Sequence, residues 1–144
     1  MTVRFAYPVR IEPDEGGFLA TFPGVAGAHT AGKTKAEAFA NAADALIVAL
    51  AGYIRQGERL PAARAPKRGE RLVAVPPLAA AKLALYAAMR EAGLSNVSLG
   101  KRLGLSEGAV RRLLDLSHRS HIGQIEAALA AVGKRLIVDV ADAA

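Results

Sequence analysis

The stretch LSEGAVRRLLD, residues 105–115, carries two adjacent arginines behind a serine that can start a helix. An arginine guanidinium can donate two hydrogen bonds to N7 and O6 of guanine in the major groove of DNA. In a helix-turn-helix the start of the second helix enters that groove, so its positions not consumed by packing are free to contact bases. The sequence predicts these base-contacting residues: Ser106, Glu107, Gly108, Arg111 and Arg112.

The charge distribution supports a polyanionic partner for the same half of the chain. Residues 1–66 hold seven Lys or Arg against six Asp or Glu, a net +1, whereas residues 67–144 hold twelve against seven, a net +5. Basic side chains near phosphates release condensed counterions. We expect Lys101, Arg102, His118 and Arg119 to lie near the DNA backbone, where they would position the protein without reading sequence. The alternative is a helical hairpin with a solvated basic face.

The spacing of small and apolar residues in 98–115 fits two crossing helices. Gly100 lets the helices approach and Gly104 makes the turn, with steps of four residues and then six from Gly100 to Gly104 to Val110. The predicted apolar core of this pair comprises Leu99, Leu103, Leu105, Val110 and Leu113.

The sequence contains few residues that could catalyse a reaction or bind a metal ion. The chain has no cysteine and three histidines, His29, His118 and His121. His29 could be a general base, but no nucleophile or orienting carboxylate accompanies it. The acidic residues of the first half form no cluster within a strand interior. We therefore predict no enzymatic activity, no metal and no cofactor.

The elements of the first half form an α+β unit. Alternating apolar residues over 3–11 predict a strand. The turn residues PDEGG predict a hairpin loop of three to five residues, and FLATF is predicted to be the second strand of this hairpin. A short strand around 28–31 follows, and the pair Thr34 and Glu37 caps a helix that runs to about Gly57. Residues 61–70 are predicted to be a linker and 71–75 an added strand. The predicted buried stripe of the helix comprises Ala36, Phe39, Ala40, Ala43, Leu46, Ile47, Leu50 and Ile54.

The second half is predicted to contain four helices and a last strand. The helices begin near Pro77, at Ser95 or Asn96, after Ser106 and near His121. KRLIVDV, residues 134–140, alternates as a strand that has no partner in its own half. An unpaired apolar edge is a liability, so this strand should pair with the first unit or, preferably, with its copy in a second chain.

The run YPVRIEPDEGGFLATFPGVAGAHTAGKTKAEAFANAADAL, residues 7–46, resembles the HicB antitoxin family. Ala28 departs from the family pattern after Gly27. The matching residues are Tyr7, Pro8, Val9, Ile11, Glu12, Asp14, Gly17, Phe18, Phe22, Pro23, Val25, Gly27, Thr30, Gly32, Thr34, Glu37, Ala38, Asn41, Ala42, Ala45 and Leu46.

The resemblance implies a fold and a function. Residues 1–75 would form a partial RNase H-like toxin-binding domain with a three- or four-stranded antiparallel sheet and one long helix. Residues 76–144 would form a helix-turn-helix domain for DNA binding and dimerisation that ends in a strand. Family members neutralise HicA, a small basic ribonuclease that cleaves messenger RNA, and repress their own operon. They therefore imply a toxin, operator DNA and a homodimer or dimer of dimers as partners.

A basic toxin would be met by acidic groups, so we expect Glu12, Asp14, Glu15 and Phe18 to contact it, although the acidic residues could simply form a turn. The alternative function is a transcription regulator whose first domain senses a small molecule. The start of the chain lacks the features of a secretory signal, and no 18-residue apolar run is free of charge. We therefore expect a cytoplasmic protein without a membrane span.

Overall fold

The computed structural model describes residues 4–143, and its class is α+β, as predicted. The strands form one antiparallel sheet in the order β3-β2-β1-β4. The predicted fourth strand is confirmed at the open edge beside β1. The strands are β1 (Ala6–Asp14), β2 (Gly17–Thr21), β3 (His29–Gly32) and β4 (Glu70–Ala74).

The predicted hairpin is confirmed, but its loop is shorter than expected. Asp14 pairs with Gly17, which leaves only Glu15 and Gly16 between the strands. Gly16 has a φ of 73°, a left-handed conformation that glycine adopts without a Cβ penalty. This single residue allows the chain to reverse in two residues, so the prediction of three to five was wrong.

Helix α1 (Lys35–Arg55) covers one face of the sheet. The hydroxyl of Thr34 accepts a hydrogen bond of 3.1 Å from the backbone N–H of Glu37, which confirms the predicted start. The predicted stripe is partly wrong, because Ala36 and Ala40 are exposed. Although α1 has the length and mean hydropathy of a membrane-crossing helix, its inner stripe packs in the sheet core. The fully buried residues are Ala38, Ala42, Leu46 and Leu50.

The segment predicted as a linker, residues 61–70, is attached to the sheet. Tyr7 donates a 2.8 Å hydrogen bond from its hydroxyl to the carbonyl of Pro61, and burial raises the pKa of Tyr7 to about 12. Arg64 donates to both carboxylate oxygens of Glu70, at 2.8 and 3.1 Å, and Arg10 donates to the same carboxylate at 3.1 Å. Glu70 itself lies in β4, with a fully buried side chain.

The Glu70 cluster predicts a dependence of stability on acid pH. The bond from Arg64, helped by the backbone N–H of Lys67, lowers the pKa of Glu70 from 4.5 to about 2. A carboxyl group whose pKa is lower in the folded than in the unfolded protein stabilises the folded state. This contribution is complete at a pH above the unfolded-state pKa and is lost as the pH falls to the folded-state pKa. We expect Glu70→Gln to lower Tm at neutral pH and the gap to the parent protein to close between pH 4.5 and 2.

Thermal unfolding followed by circular dichroism across that pH range measures the gap. The exposed carboxylate of Glu12 offers the control substitution Glu12→Gln, which should leave Tm nearly unchanged. A Tm difference between Glu70→Gln and the parent that stays constant down to the acid limit would contradict the role assigned to this carboxylate.

Helix α2 (Pro77–Ala92) belongs to both parts of the core. Ala79 and Leu83 pack in the sheet core, whereas Leu85 and Met89 pack in a second core formed with the later helices. These are α3 (Asn96–Leu103), α4 (Glu107–Leu114) and α5 (Ile122–Ala131). Because it packs on two sides, most of α2 is buried, and its residues contribute to both hydrophobic cores. The division after residue 75 remains a prediction.

The strand predicted over 134–140 is not formed in this chain. Residues 134–143 have no regular structure, and no strand edge within the described residues 4–143 pairs with them. Leu136 packs against the helical core, but Ile137, Val138 and Val140 are 64%, 82% and 88% exposed. Beyond Leu136, the apolar side chains of the predicted strand therefore face outward in the single chain.

Candidate nucleic-acid interface and acidic surface

Helices α3 and α4 each begin at a capping serine. The hydroxyl of Ser95 accepts from the N–H of Ser98 at 3.1 Å, and that of Ser106 accepts from the N–H of Ala109 at the same distance. Such bonds satisfy N–H groups that have no partner within the helix. Gly104, with a φ of 69°, ends α3 and turns the chain towards α4. We call residues 95–115 the α3–α4 unit.

The close approach of the two helices depends on Gly100. A Cβ at this position would lie 2.5 Å from the carbonyl oxygen of Leu105, a distance that Cβ atoms essentially never adopt. The N–H of Leu105 in turn donates a 2.8 Å hydrogen bond to the carbonyl of Gly100. Leu99 and Val110 are fully buried beside this contact, as predicted. Leu105 is 39% exposed, so its predicted core position was wrong: its backbone, not its side chain, faces Gly100.

The two arginines predicted to read bases lie together on the open face of α4. The side chain of Arg111 is 71% exposed, and Arg112 is exposed as well. Measured from the position that a Cβ would take at Gly108, Nη2 of Arg111 lies 3.7 Å away and Nη1 of Arg112 lies 3.8 Å away. The hydroxyl of Ser106 is 4.0 Å from the same point. The structure thus gathers these groups around the glycine in the first turn of α4.

Glu107 is the acidic member of this group, and its carboxylate is already engaged. Its Oε2 lies 3.5 Å from Nη2 of Arg111, one helical turn away. Its Oε1 accepts a 3.4 Å hydrogen bond from the amide of Asn96 at the start of α3. These contacts hold the Arg111 guanidinium towards the N-terminal end of α4, which is the end that a recognition helix inserts into the groove.

The residues predicted to lie near the DNA backbone differ in their contacts: some are exposed to solvent and others are hydrogen-bonded within the protein. Lys101 and Arg119 are exposed. Arg102 donates a 3.1 Å hydrogen bond to the carbonyl of Ala131, so its guanidinium lies at the end of α5. The ring nitrogen Nδ1 of His118 lies 3.2 Å from the hydroxyl of Ser120, within the turn that follows α4.

Lys82 is the charged residue next to this surface that the sequence did not reveal. It lies on α2 and is fully buried. Its Nζ donates to the carbonyls of Arg112 (3.0 Å), Asp115 (2.7 Å) and His118 (2.7 Å), and contacts the hydroxyl of Ser120 at 2.9 Å. Burial lowers the pKa of Lys82, and the Asp115 carboxylate opposes that shift. A lone lysine in the apolar run AAAKLALY was the available signal.

The residues predicted to contact the toxin do not form one patch. Glu12, Asp14 and Glu15 are exposed, and Nε of Arg10 lies 3.8 Å from the Glu12 carboxylate. Phe18 is paired with Pro13 in the sheet, and directly paired residues share a face while successive residues alternate. Glu12 and Asp14 therefore point to one side of the sheet and Phe18 to the other, the side of α1, where Nζ of Lys35 lies 5.8 Å from its ring centre.

Within residues 4–143 no three His, Asp or Glu side chains approach closely enough to hold a metal ion. The acidic groups that are close together, such as Glu12 and Asp14, lie on an exposed strand end. The arrangement of the described residues thus offers two charged surfaces, one basic around α4 and one acidic at the hairpin.

Comparison with known proteins gives the class of the molecule. Residues 6–84 match the model of the HicB-like antitoxins of bacterial toxin–antitoxin systems. This match covers the sheet, α1 and the first half of α2, so the chain is an antitoxin of this kind and not an enzyme.

Curated relatives extend the similarity over almost the whole chain, and the chain belongs to the HicB antitoxin family. "Antitoxin HicB 2" of Photorhabdus laumondii is 38% identical over 136 residues, which cover 94% of this chain and 96% of the relative. "Antitoxin HicB" of Pseudomonas fluorescens is 32% identical over 140 residues, or 96% of each chain. The protein of the same name from Escherichia coli K12 is 32% identical and covers 90% of this chain and 95% of its own.

Proposed function

We propose that this antitoxin neutralises a HicA-type toxin through its sheet unit and represses its own operon by binding operator DNA through the α3–α4 unit. The observation that carries the proposal is the α3–α4 unit itself: two capped helices whose connecting turn packs against Gly100 of α3, with Arg111 and Arg112 exposed on the second helix. Binding of the purified protein to a fragment of its own promoter, with and without the toxin, tests both halves.

The α3–α4 unit is proposed to be a helix-turn-helix with α4 as the recognition helix. Its two helices have eight residues each and are joined by the turn at Gly104. The inner side, with Leu99, Val110 and Leu113, is consumed by packing. The outer side of α4 presents two arginines, which can each bind a guanine edge through two hydrogen bonds. Such a unit reads sequence through α4 and uses the neighbouring basic groups, Lys101 and Arg119 among them, for the phosphates.

The sheet unit is proposed to be the partial RNase H-like domain that the family resemblance implies, and its acidic hairpin is proposed to meet the toxin. Asp14 and Glu15 stand at the tip of the β1–β2 hairpin, exposed to solvent. Charged groups at an exposed rim speed association with an oppositely charged partner. Phe18 faces α1, so it would take part only through a contact that also includes that helix.

Charge reversal at the hairpin should weaken toxin binding. We expect Asp14→Lys/Glu15→Lys to raise the Kd for a HicA-type toxin by about tenfold or more, chiefly through slower association, and the difference to shrink at high salt. Surface plasmon resonance at two ionic strengths measures both effects.

The matched control reverses Glu91 and Glu126, which are exposed on the helical half, so that the change in net charge is the same. Hairpin variants that bind with the same Kd as this control would contradict the assignment of the acidic tip and leave the antitoxin function itself unaffected.

The active form is proposed to be a cytoplasmic homodimer joined through the C-terminal tail. Ile137, Val138 and Val140 are largely exposed, and a second copy could cover them by pairing the two tails as strands. Such a two-fold dimer would present two α4 helices to half-sites about one helical turn of DNA apart.

The alternative of a small-molecule sensor would need a pocket within the sheet unit. Two cavities, of about 710 and 790 Å³, lie instead where the sheet unit meets the helices. The first is lined by both apolar groups and Arg111 itself, so it adjoins the proposed DNA surface. This placement gives no support to a sensor in the first domain.

A further inference from the structure

We propose that Lys82 is a positioning residue for operator recognition: from α2 it fixes the C-terminal end of α4 and the turn after it, and thereby sets the orientation of the DNA-contacting side chains. The inference rests on the proposed DNA binding by α4. It is carried by one geometric fact, the convergence of three backbone carbonyls and a hydroxyl on the buried Nζ of Lys82.

The carbonyls that Lys82 joins come from different parts of the proposed DNA surface. One belongs to Arg112, a proposed base-contacting residue, and another to His118, a proposed backbone-contacting residue next to Arg119. Asp115 lies between them as the C-cap of α4. One ammonium group therefore holds the end of the recognition helix and the following turn in a fixed relation.

A cation is well suited to this position. The last carbonyls of a helix have no partner within the helix and carry the negative end of its dipole. Asp115 is extended, with φ −80° and ψ 110°, so the chain leaves α4 without the left-handed turn that ends α2 and α3. The three N–H groups of an ammonium can serve the three carbonyls, with the Ser120 hydroxyl as a further neighbour.

The anchor itself is rigid, because α2 is held from both sides. Leu83, next to Lys82, packs in the sheet core, and Leu85 packs in the helical core. Lys82 therefore fixes the position of the end of α4, a helix of only eight residues, relative to the body of the protein. Without it, the three carbonyls would keep their local donors, the N–H groups of Asp115, His118 and Ser120. They would lose the contact that joins them to α2, and the last turn of α4, with Arg112, would be free to shift.

The test compares Lys82→Met with Leu83→Val, a control that weakens the sheet core one residue away. Operator affinity is measured by fluorescence anisotropy at a temperature well below the Tm of both variants, and toxin affinity is measured in parallel. We expect Lys82→Met to bind operator about tenfold or more weakly, the factor associated with one misplaced bidentate arginine contact, with toxin affinity retained. Hydrogen exchange should quicken at residues 112–120 and stay unchanged in α1.

Equal operator affinity of Lys82→Met and Leu83→Val would overturn the proposal. If Lys82→Met does not fold, Lys82→Gln takes its place, because a neutral amide with two N–H groups cannot serve three carbonyls. Unchanged operator affinity and unchanged exchange in Lys82→Gln would then overturn it. Failure of the unsubstituted protein to bind its promoter would instead reject the proposed DNA binding, and with it the role of Lys82, so the two failures are distinguishable.

Discussion

The variant Arg111→Ala/Arg112→Ala is expected to lose operator binding while it still neutralises the toxin. Both guanidinium groups lie on the exposed face of α4, near Gly108, and neither side chain is part of the apolar core. A bidentate arginine–guanine contact contributes about 1–3 kcal/mol of discrimination, so losing two should weaken binding by about two orders of magnitude or more. The folded state should remain intact, because the exposed Arg111–Glu107 pair contributes at most about 0.5 kcal/mol.

The measurement is a titration of a promoter fragment with the protein, at fixed and stated salt, alongside a toxin-neutralisation assay. The double variant Arg59→Ala/Arg68→Ala is a matched control, since it removes the same charge from exposed positions outside the α3–α4 unit and its adjoining cavity. If Arg111→Ala/Arg112→Ala shifted the fragment as well as this control does, α4 would not be the recognition helix.

Gly100→Ala is expected to destabilise the helical half more than any other single methyl addition in the α3–α4 unit. The new Cβ would lie 2.5 Å from the carbonyl oxygen of Leu105, and that atom belongs to backbone that cannot rotate away. Overpacking of this kind costs about 1–3 kcal/mol, and we expect a value near the upper end of that range. Because α3 and α4 would be forced apart, operator binding should fall together with stability.

Urea denaturation of Gly100→Ala beside Gly123→Ala gives a controlled comparison. Gly123 lies in α5 with nothing within 4 Å of its Cβ position, so alanine there removes a helix-weakening glycine and should stabilise by up to about 1 kcal/mol. Opposite signs for the two substitutions are the expected result. A Gly100→Ala variant as stable as the parent protein would show that the two helices do not meet as described.

The parts of the fold that the sequence predicted are those with strong local signals. The hairpin followed from alternation and the turn residues between Asp14 and Gly17, and the start of α1 followed from Thr34 and Glu37. The contact at Gly100 was predicted because only a residue without a Cβ fits between closely crossing helices. In each case the physical cause lies within a few residues of the chain.

The errors came from features that depend on distant parts of the chain. Helix α1 contains so many alanines that its apolar pattern does not distinguish Ala36 and Ala40, which are exposed, from Ala38 and Ala42, which are buried. The tail over 134–140 has the alternation of a strand, but no strand among the described residues 4–143 pairs with it.

The same reason explains what was missed around the proposed DNA surface. Lysine is almost never fully buried unless it is paired, and the carbonyls that pair with Lys82 lie 30 or more residues away in the sequence. The contact of Arg102 with the carbonyl of Ala131, 29 residues away, was not foreseen either, and its place near phosphates stays a prediction. Such pairings are decided by tertiary packing, which periodicity and capping motifs do not report.

The shared position of α2 has a consequence for how the chain folds. Ala79 and Leu83 complete the sheet core, although they follow the boundary drawn after residue 75, and Leu85 and Met89 complete the helical core. A cut at that boundary would leave the sheet half with an open cavity where Leu83 packs. Since neither half has a complete interior without this one helix, we expect folding of the sheet half and of the helical half to be thermodynamically coupled, so that each half stabilises the other.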